Sequence, residues 1–273
     1  MSTPLMPGAE PVSIAEGTRG GVLLLHGYTA TPQQLRNWAM AFARAGFAVE
    51  VPLLPGHGTL AEELAETSWS DYVDCADAFY KKLAARHQQI FVGGLCTGGN
   101  IAAWMAIRYP ATTAGLMVIN GHFKNKAPRG GTVDSLRELL KTGKRFFEWP
   151  TLPKQVEDPQ APPVLAYNKI PIAPMLSLGP ARIELCQHLG EIFCPVLVFV
   201  SLLGSDADPD NRWFENVSGP AERIVLERSN HVATLDYDKE VVFERSLAFA
   251  LAISEARHEQ SPKDIAYSQA QGF

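Results

Sequence analysis

Cysteine is scarce in this chain. Four occur in 273 residues, at Cys75, Cys96, Cys186 and Cys194. None of them pair at metal-ligand spacing. So sparse a set excludes a disulfide framework and fits reduced thiols in a cytoplasmic protein. Long apolar runs are missing too, and every one falls short of the roughly 20 residues a membrane helix needs. No basic cluster with interleaved aromatics appears. The formal charge is 24 − 29 = −5, which argues against nucleic acid or an anionic membrane as partner. Residues 1–17 are Pro-rich and polar, without the charged start and apolar stretch of a secretory signal. There is no internal repeat and no cofactor motif. With 46% apolar and 19% charged residues, the expectation is a soluble globular protein of enzyme size.

Short apolar runs alternate with helical spacing along the chain. The runs at 21–25, 47–52, 90–94, 113–119, 195–200 and 223–226 predict buried strands. Helical patterns fall at 32–45, 70–86, 100–107 and 240–253. Such alternation predicts an α/β protein with a mainly parallel sheet and helices on both faces. Residues 121–190 break the rhythm. Eight prolines lie between Pro150 and Pro180, and strand candidates vanish. Aromatic and aliphatic residues (Phe146, Phe147, Trp149, Tyr167) argue against disorder. This interval predicts an inserted cap over the strand ends, with helices near 133–147 and 181–189. The core is then 1–120 and 191–256, and 257–273 is a polar tail.

The segment Gly94-Leu95-Cys96-Thr97-Gly98 has the spacing of a nucleophile elbow, with cysteine at its centre. An apolar strand leads in and a helix leads out. A turn this sharp strains the central residue, and flanking glycines relieve the crowding. It would place the sulfur over a helix N-terminus, where a thiolate is favoured. Three further segments complete a constellation. His26-Gly27-Tyr28 ends the first strong strand, Pro55-Gly56-His57-Gly58 follows the second, and Ser229-Asn230-His231-Val232 follows the last. A thiol and a distant imidazole supply what nucleophilic acyl chemistry requires: an attacking sulfur and a proton acceptor. His26 and His57 occupy turns and read as structural hydrogen bonders. No His, Cys and carboxylate spacing suits a metal. His122 either lines the pocket or is an exposed loop residue.

The segments Leu23-Leu24-Leu25-His26-Gly27-Tyr28-Thr29, Leu53-Leu54-Pro55-Gly56-His57-Gly58 and Ser229-Asn230-His231-Val232-Ala233-Thr234-Leu235-Asp236, in this order around the Cys96 elbow, resemble α/β-hydrolases. The likeness is to bacterial carboxylesterases of the monoacylglycerol lipase-like branch, with Cys in place of the Ser nucleophile. It covers residues 20–120 and 190–252 and is vague in the cap. It implies the α/β-hydrolase fold, a small-molecule carboxylic ester or thioester as substrate, and no cofactor. It also implies an oxyanion hole from the backbone N–H groups of Tyr28 and Thr97, with the Tyr28 ring as a pocket wall. The family's triad acid aligns on Gly204, which cannot serve. A two-residue extension brings Asp206 to the role of orienting His231, and Asp208 stands second. Hydrolysis through an acyl-Cys96 intermediate, acyl transfer from the same intermediate to an amine or alcohol, and a non-catalytic ligand-binding role all remain open at this level.

Overall fold

The structure is a computed structural model, and it describes residues 3–123, 132–148, 153–204 and 212–270. Nine strands and seven α-helices are present among them. In chain order these are β1 (Val12–Ile14), β2 (Gly21–Leu25), α1 (Arg36–Arg44), β3 (Ala48–Val51), α2 (Ala61–Leu64), α3 (Trp69–Ala84), β4 (Ile90–Leu95), α4 (Thr97–Arg108) and β5 (Thr113–Ile119). They continue as α5 (Thr132–Lys141), β6 (Phe146–Glu148), β7 (Lys169–Pro171), α6 (Ile172–Gln187), β8 (Val196–Ser201), β9 (Ala221–Leu226) and α7 (Lys239–Ala270).

Seven strands form one sheet in the order β1-β3-β2-β4-β5-β8-β9. All neighbours pair in parallel except the β1–β3 edge, which is antiparallel. The apolar runs became central strands because they are coated on both faces. Every residue of β2, β4, β5 and β8 is buried. Burying each Leu or Val side chain contributes about 1.5–3 kcal/mol, so an unbroken apolar strand is stable only between two layers of helix. One layer packs Tyr72, Tyr80, Ile101 and Met105 on the sheet. The other packs Trp38, Phe42, Val242 and Ala250. Parallel pairing has one consequence for chemistry: the carboxyl ends of β2, β4, β5, β8 and β9 open on the same edge.

Local boundaries differ from the sequence expectations. β1 was not anticipated; it is a three-residue edge strand whose neighbours in sequence are polar and proline-rich. The 32–45 helix starts as a 3-10 turn at Pro32–Leu35, entered from an extended Thr31 with Pro32 at its start. The terminal helix runs on to Ala270 rather than ending at Ile253. In the 121–190 interval α5 stops at Lys141, and β6 pairs antiparallel with β7, so the region predicted as one helix over 133–147 is a helix followed by a strand. α6 begins at Ile172, not near Ala181, and carries Pro180 inside it.

This interval is tied to the core at many points. Tyr167 N–H donates to Thr29 O at 3.0 Å, and its hydroxyl bridges Gly56 O and Thr59 N–H. Gln33 brackets Pro163 O and Leu165 N–H with its amide. Tyr28 Oη donates to Pro171 O at 2.9 Å.

Candidate active site

The elbow between β4 and α4 holds Cys96 at φ +56°, ψ −119°. For a residue with a side chain this conformation costs about 1–3 kcal/mol and persists only where the surroundings enforce it. They do so by close approach. A Cβ on Gly98 would lie 1.9 Å from Leu25 O, and one on Gly94 would lie 2.3 Å from the carbonyl carbon of Gly98. The first turn of α4 is therefore pressed onto the ends of β2 and β4, and only glycine fits at either contact. Cys96 N–H donates to Ile119 O at 2.9 Å, and the Cys96 carbonyl accepts from Gly99 and Asn100. With both backbone groups held, the side chain projects at the N-terminus of α4.

His231 arrives on the loop after β9, fixed through its backbone. Its N–H donates to Asn230 Oδ1 at 2.7 Å, and its carbonyl accepts from Asn120 Nδ2 at 2.8 Å. Asn120, at φ +48°, also takes the N–H of Ser201 on Oδ1 and donates to Ser201 Oγ. One side chain thus joins the ends of β5 and β8 to the histidine loop. Asp236 organises the same loop from beneath. It is fully buried, and its two oxygens accept the N–H groups of Asn230, Tyr237, Glu157 and Asp158 at 2.8–2.9 Å. Those four bonds occupy Asp236 structurally and leave it no role facing the imidazole.

His122 joins the same group. Its carbonyl is held by Asn100 Nδ2 at 3.0 Å, and its ring stacks on that of His231. One ligand atom from each of Cys96, His122 and His231 lies within 4.8 Å of the others. Burial works against a Cys96 thiolate, but the charge of His231, hydrogen bonds from His122 and His231, and the charge of His122 outweigh it and hold the thiol well below its usual range. This cluster is not visible as a sequence spacing. The three residues are far apart in sequence, yet together they form a Cys–His–His set of the kind that binds thiophilic cations.

Thr97 Oγ1 lies 4.0 Å from Cys96 Sγ. Thr97 is the first residue of α4, where backbone N–H groups have no intrahelical acceptor. Tyr28 follows Gly27, whose Cβ position would be 3.6 Å from Cys96 Cβ. The Tyr28 ring packs edge-on to His57. His26 and His57 cross-link two turns. Leu54 N–H donates to His26 Nε2 and Thr29 N–H to His57 Nε2. Their Nδ1 atoms lie 2.9 Å from the carbonyls of Gly27 and Pro55. Burial holds both rings neutral, His57 at about 4 and His26 well below its ordinary value.

Asp206 and Asp208 lie outside the described residues. Gly204, just before them, has φ +95°, and a Cβ there would meet Asn230 Oδ1 at 2.0 Å. Gly204 therefore abuts the residue preceding His231, and its positive φ disfavours any side chain there. The sequence reading missed Asn120, Asn100 and Arg182. The first two had a faint signal, polar residues abutting apolar elements. Arg182 had none, being one charge in a Pro-rich interval.

Comparison with known proteins agrees with this fold. Residues 16–199 match the family described as serine aminopeptidase, S33. The thermostable monoacylglycerol lipase of Bacillus sp. (strain H-257) is 37% identical over 249 residues, covering 90% of this chain and 96% of that protein. A carboxylesterase of Bacillus subtilis (strain 168) is 23% identical, covering 83% of this chain and 90% of the relative. A solved structure reported for LipS and LipT, two metagenome-derived lipolytic enzymes, superposes with a TM-score of 0.82 at 34% identity, over 91% of this chain and 100% of the other. The chain belongs to the α/β-hydrolase superfamily, in its monoacylglycerol lipase and esterase-like branch.

Proposed function

We propose that this lipase/esterase-type hydrolase cleaves a carboxylic ester or thioester through a covalent acyl-Cys96 intermediate. The observation that carries this reading is the sulfur on a strained elbow, within 4.8 Å of a ring nitrogen of His231. The thiolate adds to the carbonyl carbon, and the carbonyl π electrons move to oxygen. The backbone N–H groups of Tyr28 and Thr97 are assigned to that oxyanion. Collapse expels the alkoxide or thiolate, which takes the proton held by His231. Water, deprotonated by the same ring, then attacks the thioester and releases the acid and Cys96.

Asp206 is assigned the role of orienting His231, with Asp208 second. Supporting this, Gly204, two positions before Asp206 in the sequence, sits against Asn230, the residue that precedes His231. Residues 121–190 are the cap of this site, with His122 and the Tyr28 ring lining it. The relatives named above are a monoacylglycerol lipase and a carboxylesterase, which supports an ester as the bond cleaved. A cytoplasmic setting fits the absence of disulfides among the four cysteines.

Intact mass spectrometry during turnover of p-nitrophenyl esters tests the reading. An acyl adduct on Cys96 should appear and decay in water, and Cys96→Ala should lose at least about 10³-fold in kcat. Full turnover by Cys96→Ala would refute it. An adduct that decays only when an amine or alcohol is added would redirect the reading from hydrolysis to transfer.

A further inference from the structure

Arg182 is a cation in an unusual place. It lies on α6, in the cap, with its guanidinium turned toward the elbow. One terminal nitrogen is 3.4 Å from Thr97 Oγ1, and that hydroxyl is 4.0 Å from Cys96 Sγ. A single side-chain oxygen thus connects the guanidinium to the nucleophile. Nε is buried with no hydrogen-bond partner. Nothing on its own helix neutralises it: the residues three and four positions away are Leu178, Gly179, Leu185 and Cys186. Among the described residues no carboxylate pairs with it.

Withdrawing a guanidinium from water costs several kcal/mol unless an anion compensates. Burial lowers the Arg182 pKa, and the Cys96 thiolate is the charge that opposes this. Yet that thiolate already has two imidazoles, so Arg182 is surplus to its needs. Its forked, planar set of donors matches a carboxylate, and Thr97 also heads the helix assigned to the oxyanion. Any group held by Arg182 is therefore within a few bonds of the scissile carbonyl.

We propose that Arg182 is a substrate-binding residue for a carboxylate, and that the preferred substrates are half-esters: esters carrying a free carboxylate a few bonds from the bond cleaved. This deepens the reading of the Cys96 site as an esterase and rests on it for the word substrate. The anion site itself is testable without turnover.

Iodoacetate and iodoacetamide alkylate a thiolate by the same displacement of iodide, and they differ in carrying a carboxylate or an amide. The rate of each at Cys96 is followed by peptide mass mapping, which separates it from the other three cysteines. The iodoacetate-to-iodoacetamide ratio should exceed that of free cysteine by about tenfold or more, the value of one charge-assisted hydrogen bond. In Arg182→Met it should fall to the free-cysteine value, and in Arg182→Lys it should lie between. If thermal melting shows that Arg182→Met is unfolded, Arg182→Lys against wild type reads the same ratio. An equal ratio in wild type and a folded variant overturns the proposal; equal slowing of both reagents would instead make Arg182 a thiolate-stabilising group.

The substrate arm compares p-nitrophenyl hemisuccinate with p-nitrophenyl butyrate for an acyl-side carboxylate. Acetylglycolate against propyl acetate tests the alcohol side. The acidic member of one pair should be favoured in kcat/KM, and Arg182→Met should lower that preference about tenfold or more. If no ester turns over while the alkylation ratio behaves as stated, the esterase reading fails and the anion site stands. If esters turn over with no preference for the acid in either pair, half-esters are not the substrates.

Discussion

The rings of His122 and His231 stack with centroids 6.0 Å apart and planes 17° from parallel, and both reach the sulfur of Cys96. Two imidazoles therefore serve one thiol. His231 is the proton carrier of the mechanism proposed above, so His122 is left to stabilise the thiolate. Replacing His122 with Phe keeps the stacked ring and removes the hydrogen bond and the charge. The Cys96 thiol pKa should rise, because one of the groups that lower it is gone. The pH dependence of iodoacetamide alkylation measures this directly, and the acid limb of kcat/KM should move up with it. A thiol titration that does not move would assign the whole depression to His231.

Asn120 is expected to matter for placement rather than for chemistry. Its amide spans Ser201 and the His231 carbonyl, and its positive φ suits Asn better than Ala. Asn120→Ala leaves the buried Ser201 N–H without its side-chain acceptor and adds backbone strain, together about 2 kcal/mol of stability. With His231 less well held, kcat should fall about tenfold or more while KM changes little. Urea unfolding and steady-state kinetics check the two halves separately. A loss confined to stability would limit Asn120 to the fold.

Much of this arrangement was legible in the sequence because it rests on local rules. Apolar runs such as 21–25 and 113–119 specify buried strands whatever surrounds them. The elbow glycines are demanded by backbone contacts that no larger residue can make. The chain order of Cys96 and His231 set the hydrolase pattern. What stayed hidden is long-range. His122 was legible only as a pocket or loop residue and not as a partner of Cys96 and His231, because it is 26 positions from one and 109 from the other and neither interval carries a periodic signal. The elements of the 121–190 interval were misplaced because Pro-rich segments take their form from the surface they lie on, as the Tyr167 and Gln33 contacts show. Asp206, chosen by extending an alignment across Gly204, belongs to a segment outside the described residues.

Acid should weaken the fold through the buried turn histidines. His57 is 2% exposed, and burial lowers its pKa from 6.5 to about 4. The folded chain then binds fewer protons than the unfolded chain between those values. The contribution is complete above about pH 6.5 and is lost as pH falls toward 4. From pH 7 to pH 5 the loss from His57 is about 2 kcal/mol, and His26 acts in the same direction. Urea midpoints at the two pH values read this in wild type. His57→Gln should be less stable at pH 7 but less sensitive to acid. Equal pH sensitivity in the two proteins would show that His57 is not the group responsible.

Asp236 provides the most demanding test of how the 121–190 interval and the histidine loop are coupled. Its carboxylate takes two N–H groups from the loop, at Asn230 and Tyr237, and two from the 121–190 interval, at Glu157 and Asp158. Glu157 then accepts from Asn230 Nδ2 at 2.8 Å, closing a network around the residue that precedes His231. Asp236→Asn is nearly isosteric, but it replaces one acceptor with an NH₂ facing backbone donors. Two N–H groups lose their partner in a buried site, a cost of about 3 kcal/mol. Because the four donors belong to two segments, the damage should reach both. Hydrogen exchange should quicken at Glu157, Asp158, Asn230 and Tyr237 together, and kcat should drop as His231 loosens. If exchange rises only in the loop and the 157–158 amides stay protected, Asp236 does not couple the two segments and the cap is held by its other contacts.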